Sequence, residues 1–214
     1  DHRAGAGARR GIAGRGRGHL VGAASVGVEL RRLRLRDALL EGVDLRGANL
    51  AGADLTGATL VRAQFGGADL TGARLVRTNL GGASLAGAHA REPVDFSEAM
   101  VWQTDFSRAS LPGARFDNVR LFEAKFAGAD LTNMSARKAT FFTADLAGAR
   151  LTEATLAGAT FIECALGGAD LTGASMKGAA FISCRADDAT LAGADLENLR
   201  VVSASSFARA DFTG

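Results

Sequence analysis

A large apolar side chain recurs at every fifth position of this chain. The series runs from Leu30 through Leu45, Leu50, Leu55, Leu60 and Phe65 to Ala90. It resumes one residue late at Phe96, continues to Val201, and after a second one-residue slip ends at Phe207 and Phe212. A small apolar residue, such as Ala48, Ala53, Ala58 or Ala63, usually stands two positions before each large one. A period of five matches neither the 3.6 of a helix nor the 2.0 of a strand. It fits a chain that turns a corner every five residues, with the large residue and the small one pointing inward and the other three outward.

A longer period is visible inside the short one. Leu111, Leu131, Leu151, Leu171 and Leu191 recur every 20 residues, as do Phe141, Phe161 and Phe181, so four units make one coil and like side chains stack. The 37 centres give about nine coils, a rod roughly 43 Å long at the spacing of parallel strands. Volume is traded between the inward positions: Ala136 is a small centre preceded by Met134, and Ala186 one preceded by Cys184. The slip in "AHAREPVDF" lies beside Pro93, which cannot donate to a ladder, so a bulge and a bend are expected near residues 90–95. A second distortion is expected within 202–206.

Units such as "ANLAG", "ADLTG" and "ATLAG" resemble the A(D/N)LXX motif of the pentapeptide-repeat proteins, over residues 28–214. The resemblance implies an all-β solenoid, a right-handed quadrilateral parallel β-helix of about nine coils of four pentapeptides. Residues 1–27 then form a basic, Gly/Ala/Arg-rich arm or linker.

Composition and charge refine this picture. Glycine is abundant (28 residues) but does not recur every third position, which excludes collagen. No apolar run has the length of a membrane span. Residues 1–36 carry nine arginines against two acids, a net +7, while residues 37–214 carry 16 bases and 21 acids, a net −5. The twin arginine Arg9-Arg10 lacks the apolar stretch of a secretory signal, so a cytoplasmic protein is expected. A chain that starts at Asp1 and stops inside the repeat is expected to be a fragment or processed product.

No catalytic constellation emerges. His2, His19 and His89 are far apart, with no cysteine at ligand spacing, and the glycine strings do not form a dinucleotide fingerprint. No enzyme activity, cofactor or metal is expected. Cys164 and Cys184, one coil apart at inward positions, are read as reduced core thiols, because in-register strands point both the same way. Asn133-Met134-Ser135 matches a glycosylation acceptor, accidental in a cytoplasmic protein.

The outward residues are more informative. Immediately after the centres of one face come Trp102, Phe122, Phe142, Ile162, Ile182 and Val202. The equivalent positions elsewhere are Ser107, Ala127, Ala147 and Gly167, or Pro112, Thr132, Thr152 and Thr172. An apolar stripe of this kind is either covered by another segment of the protein or serves homodimerisation or docking of a partner. The favoured function is a non-enzymatic protein–protein interaction or scaffold module. The family resemblance implies an alternative, a DNA-mimicking protein that binds DNA gyrase and confers quinolone or toxin resistance through acidic positions such as Asp105, Asp130, Asp145 and Asp170. Those acids alternate with Lys125 and Arg150 at the coil period, as Asp54 does with Arg34 and Arg74, a pattern that fits ladder-stabilising charge pairs. Nucleic acid is expected to bind only through the arm, at Arg9, Arg10, Arg15 and Arg17.

Overall fold

The computed structural model describes residues 27–214. The basic arm, with Arg9, Arg10, Arg15, Arg17, His2 and His19, lies outside the described residues. Each five-residue unit is one side of a four-sided coil. The residue before each centre pairs in parallel with its counterpart one coil on, which builds four ladders starting at Glu29, Arg34, Leu39 and Asp44. The ladder from Glu29 passes through Asn49, Asp69, His89, Ser110, Asp130, Arg150, Asp170 and Thr190 to Asp211, nine steps in all. The result is a quadrilateral parallel β-helix with no helical segment among the described residues.

On one face the isolated bridges widen into three-residue strands. These are β1 (Met100–Trp102), β2 (Arg120–Phe122), β3 (Thr140–Phe142), β4 (Thr160–Ile162), β5 (Ala180–Ile182) and β6 (Arg200–Val202). They form one parallel sheet in sequential order, Val101 opposite Leu121 and Phe141 opposite Phe161.

Corners explain the glycine content. The residue two places after each centre has a positive φ, as in Gly57 (φ 73) and Gly173 (φ 66), with Glu92 at the first slip as the exception. Several of these corner glycines also face a side chain from the neighbouring coil. A Cβ on Gly57 would collide with the Asp37 carboxylate, and one on Gly173 would sit 2.5 Å from Glu153 Oε1. The aspartates have a related task. Asp69 Oδ1 accepts the N–H of Thr71 at 2.9 Å, and Asp95 Oδ1 that of Ser97 at 3.0 Å, each closing the turn that follows its bridge.

The core is a continuous column of centres and small partners. Leu50, Leu111, Leu131, Met134, Ala136 and Ala186 are all fully buried. Phe96 stacks on Phe116 and Phe106 on Phe126, with centroids 4.7 and 4.8 Å apart, and the two stacks meet edge to face. Phe141, Phe161 and Phe181 form a third stack at 4.6 and 4.9 Å. Both slips are single added residues: ladder steps lengthen from 20 to 21 between Arg74 and Asp95, and again between Arg185 and Ser206. At the first, Arg91, Glu92 and Pro93 stand exposed while Val94 takes the buried place. The ladders continue on both sides.

Candidate functional site

The strand-bearing face carries the apolar stripe on its outside, because side chains alternate across a strand and the centre of each strand points inward. Trp102 is 57% exposed, Phe122 40% and Val202 47%, while Phe142, Ile162 and Ile182 are half-buried by their neighbours. The register sets Trp102 beside Phe122, Phe122 beside Phe142, and Ile162 beside Ile182. Phe122 and Phe142 have ring centroids 5.6 Å apart, tilted by 50°. At the N-terminal end Trp102 leans over Gly81, where a Cβ would lie 3.8 Å from Trp102 Cε3. Met100, also 57% exposed, widens the apolar surface on the other side of β1.

Two shallow open hollows flank the stripe. One, of about 420 Å³, is lined by Glu98, Met100, Trp102, Asn118, Arg120 and Phe122 among others. The other, of about 580 Å³, lies over the adjoining corner, between Gln103, Glu123, Lys125, Thr143 and Asp145. Neither is enclosed enough to hold a small substrate out of water.

The corner beside the stripe is unlike the others. Gln103, Glu123, Thr143, Glu163, Ser183 and Ser203 follow one another with φ from 48° to 60°, and none is glycine. An L-residue in this conformation costs about 1 kcal/mol or more relative to glycine. The side chains there form a polar rim along the apolar strip, and Gln103 Nε2 donates to Glu123 Oε2 at 2.9 Å. An apolar centre edged by polar groups is the usual anatomy of a protein interface.

The four aspartates of the alternative surface are placed differently. Asp105 and Asp145 share a ladder with Lys125 between them, and Asp130 and Asp170 share another with Arg150 between them. Each turns a carboxylate oxygen onto the backbone two residues on, Asp105 to Ser107 at 2.8 Å, Asp130 to Thr132 at 3.2 Å, Asp145 to Ala147 at 3.0 Å and Asp170 to Thr172 at 3.0 Å. Arg150 pairs with Asp130 at 3.7 Å. Among the described residues Lys125 forms no ion pair. Asp54 pairs with Arg36 at 3.2 Å and not with Arg34 or Arg74, so the alternation expected from the sequence is only partly realised as contacts.

Turn closure and contacts between coils move the carboxylate pKa values. Burial pushes Asp54 and Asp69 upward, but hydrogen bonds from the hydroxyl and N–H of Thr56 and Thr71 outweigh it and hold both carboxylates below their ordinary value. Asp187 is likewise held down by the Ser206 hydroxyl and the Ala208 N–H, and Asp188 by Arg209. His89 is exposed on its ladder between Asp69 and Ser110. No group of three or more His, Cys, Asp or Glu residues among those described is arranged to hold a metal ion. Cys164 and Cys184 are free and buried, their thiols donating to the carbonyls of Phe141 and Phe161 at 3.4 and 3.3 Å. Met134 is fully buried, which pins the Asn133-Met134-Ser135 tripeptide against the coil. Among the described residues no helix is long and apolar enough to cross a membrane.

Sequence reasoning missed several of these contacts. Thr78 and Thr104, fully buried at positions more often held by alanine, donate their hydroxyls to Leu75 and Leu80 carbonyls at 2.7 and 2.8 Å. Asp117 and Asp187 reach into the next coil, each accepting a serine hydroxyl and a backbone N–H, from Ser135 and Arg137 in one case and Ser206 and Ala208 in the other. The signal for both was an Asp just after a centre, where most units carry a small residue.

Comparison with known proteins agrees with this geometry. Among solved structures, the chain is similar to HetL, a pentapeptide repeat protein involved in heterocyst differentiation regulation from the cyanobacterium Nostoc sp. strain PCC 7120. The identity is 26% over 90% of this chain and 92% of that one, with a TM-score of 0.52. It aligns also with full-length QnrB1, a plasmid-mediated fluoroquinolone resistance protein, at 19% identity over 85% and 94% of the two chains, TM-score 0.35. A pentapeptide repeat protein of the Arabidopsis thaliana thylakoid lumen shares 30% identity over 57% of this chain and 67% of that one, TM-score 0.24. A search of curated protein sequences finds no match. The family model for pentapeptide repeats matches in eight copies between residues 34 and 198. With four parallel ladders, a five-residue side and this match over most of its length, the chain belongs to the pentapeptide-repeat family.

Proposed function

We propose that this protein is a non-enzymatic interaction or scaffold module whose docking surface is the face built by β1–β6. The observation that carries the reading is the stripe from Trp102 to Val202 lying along six consecutive corners without glycine. Fold stability alone favours glycine at those corners. Holding six side chains there provides a polar margin for the apolar strip. A filled interior and open, shallow hollows leave binding across a flat face as the chemistry available. The regulatory involvement ascribed to HetL, alike over 90% of this chain, accords with a protein that acts by contact.

Imitation of DNA to bind gyrase has less behind it. The acidic ladders are interrupted by Lys125 and Arg150, and the carboxylates of Asp105, Asp130, Asp145 and Asp170 are drawn onto the backbone. We also propose a cytoplasmic location, because two free, stacked thiols suit a reducing compartment. Recovery of the protein with the secreted fraction of its cell contradicts that location. The docking reading is tested by replacing Phe122 and Phe142 together with Ser: association with other protein is lost while the fold remains, and unchanged association contradicts it.

A further inference from the structure

We infer that the partner seated on this face is a second copy of the chain, lying antiparallel about a two-fold axis that runs parallel to the strands, midway between β3 and β4. The inference rests on the docking reading above and specifies the partner. Four observations converge on it.

The stripe is graded. Its first three rungs carry Trp102, Phe122 and Phe142, and its last three Ile162, Ile182 and Val202. The axis sets Trp102 against Val202, Phe122 against Ile182 and Phe142 against Ile162, so each ring meets a branched aliphatic side chain and the gap between the rods stays even. Close packing demands that evenness. With the axis along the rods instead, each rung meets itself: the aromatic end is overfilled, while the end carrying Ala180 and Ile182 is underfilled.

The column on the other side of each strand obeys the same operation. Arg120 meets Ala180, the smallest and most buried residue of that column, Met100 meets Arg200, and Thr140 meets Thr160 at the axis. No guanidinium faces another.

Along the rim, Glu123 meets Ser183 and Glu163 meets Thr143, so each carboxylate faces a hydroxyl that can donate to it. Glu98, on the Met100 side of the first rung, lies across from Arg200. Arg200 and Val202 of one copy descend on the hollow between Glu98, Met100, Trp102 and Phe122 of the other. Like charges are nowhere opposed, as an isologous contact requires.

Area sets the strength. Six rungs at about 4.8 Å and three residues of width give a strip roughly 24 by 10 Å. Two such strips with their rims bury on the order of 600–1,000 Å², the size of a weak or transient interface. A weak dimer, populated only at high protein concentration, is expected.

The experiment uses the full chain. Sedimentation of wild type from a few to several hundred micromolar measures association, and two single variants, Trp102→Cys and Val202→Cys, report the orientation. Positions 102 and 202 of one rod are five rungs apart, so under mild oxidation neither variant cross-links alone. An equimolar mixture gives a covalent heterodimer. Cys164 and Cys184 are buried and take no part. Covalent dimer from Trp102→Cys alone overturns the antiparallel arrangement, and a wild type that stays monomeric throughout overturns the second-copy inference. If such a monomer still loses docking of another protein when Phe122 and Phe142 become Ser, the docking reading survives. If that double variant changes no association at all, the docking reading fails as well.

Discussion

Phe122 and Phe142 pack at a tilt on the outside of the β-helix with centroids 5.6 Å apart, while Phe141 and Phe161, each one position away in sequence from the stripe, stack on the inside at 4.6 Å. Adjacent residues of one strand thus belong to a surface and to a core. Phe142→Ser is expected to change stability by less than about 1 kcal/mol while removing association. Phe161→Ala is expected to destabilise the protein by about 3–5 kcal/mol through the cavity it leaves. Denaturant melts of the two variants check this, and equal losses in both contradict the assignment of the stripe to the surface.

Corner glycines are expected to be sensitive where a neighbour lies over them. Gly173→Ala combines an unfavourable φ of 66° with a clash against the Glu153 carboxylate, and a loss of about 1–2 kcal/mol is expected. Shortening the neighbour in the double variant Gly173→Ala/Glu153→Ala returns part of that loss. Additive effects in thermal melts rule out the contact.

Aspartates that close turns or tie neighbouring coils together give the fold its acid sensitivity. Asp54, Asp69, Asp187 and Asp188 all have folded values below the ordinary carboxylate value of 3.8. A depressed folded value means that their stabilisation is complete above about pH 4 and is lost as pH falls through the folded values. Tm therefore drops as pH falls below about 4. Asn49 and Asn79 already close turns by accepting the N–H groups of Ala51 and Gly81, so Asp54→Asn/Asp69→Asn keeps the geometry and makes that drop shallower. A Tm profile as steep as that of wild type assigns the acid sensitivity elsewhere.

The thiols are expected to be inert. Both sulfurs are buried in the packed core and donate to its carbonyls, out of reach of a reagent in solvent. A disulfide-exchange reagent such as DTNB is expected to modify neither in the native protein and both after unfolding. Stoichiometric modification of the native protein contradicts the closed core.

Gyrase supercoiling, with and without a quinolone, is expected to be unaffected by micromolar amounts of this protein. Inhibition or drug protection that disappears in Asp130→Asn/Asp170→Asn restores the DNA-mimic reading.

Much of the fold is legible in the sequence because one physical constraint repeats: every centre from Leu30 onward meets the same corner, and a period of five survives substitution of Leu by Phe, Met or Val. The stripe is legible for the same reason, since Trp102 and Phe122 stand out only against a known period of 20. What the pattern does not disclose is which face widens into strands, because Leu111 and Leu121 are identical centres on different sides. Nor does it disclose that Arg36 and not Arg34 reaches Asp54, since long side chains choose partners by rotamer and not by register. The glycine-free corner from Gln103 to Ser203 was written in the sequence, but its meaning depends on a φ that only the coordinates reveal.

The central claim is that one face, and not the others, is the contact surface. A photo-crosslinking side chain placed at Phe122, and separately at Ala127 on the adjoining face and Thr132 on the opposite one, tests it most directly in the cell that makes the protein. A discrete protein adduct is expected from position 122 and none from 127 or 132. Equal crosslinking from all three positions, or adducts from 127 or 132 alone, contradicts it.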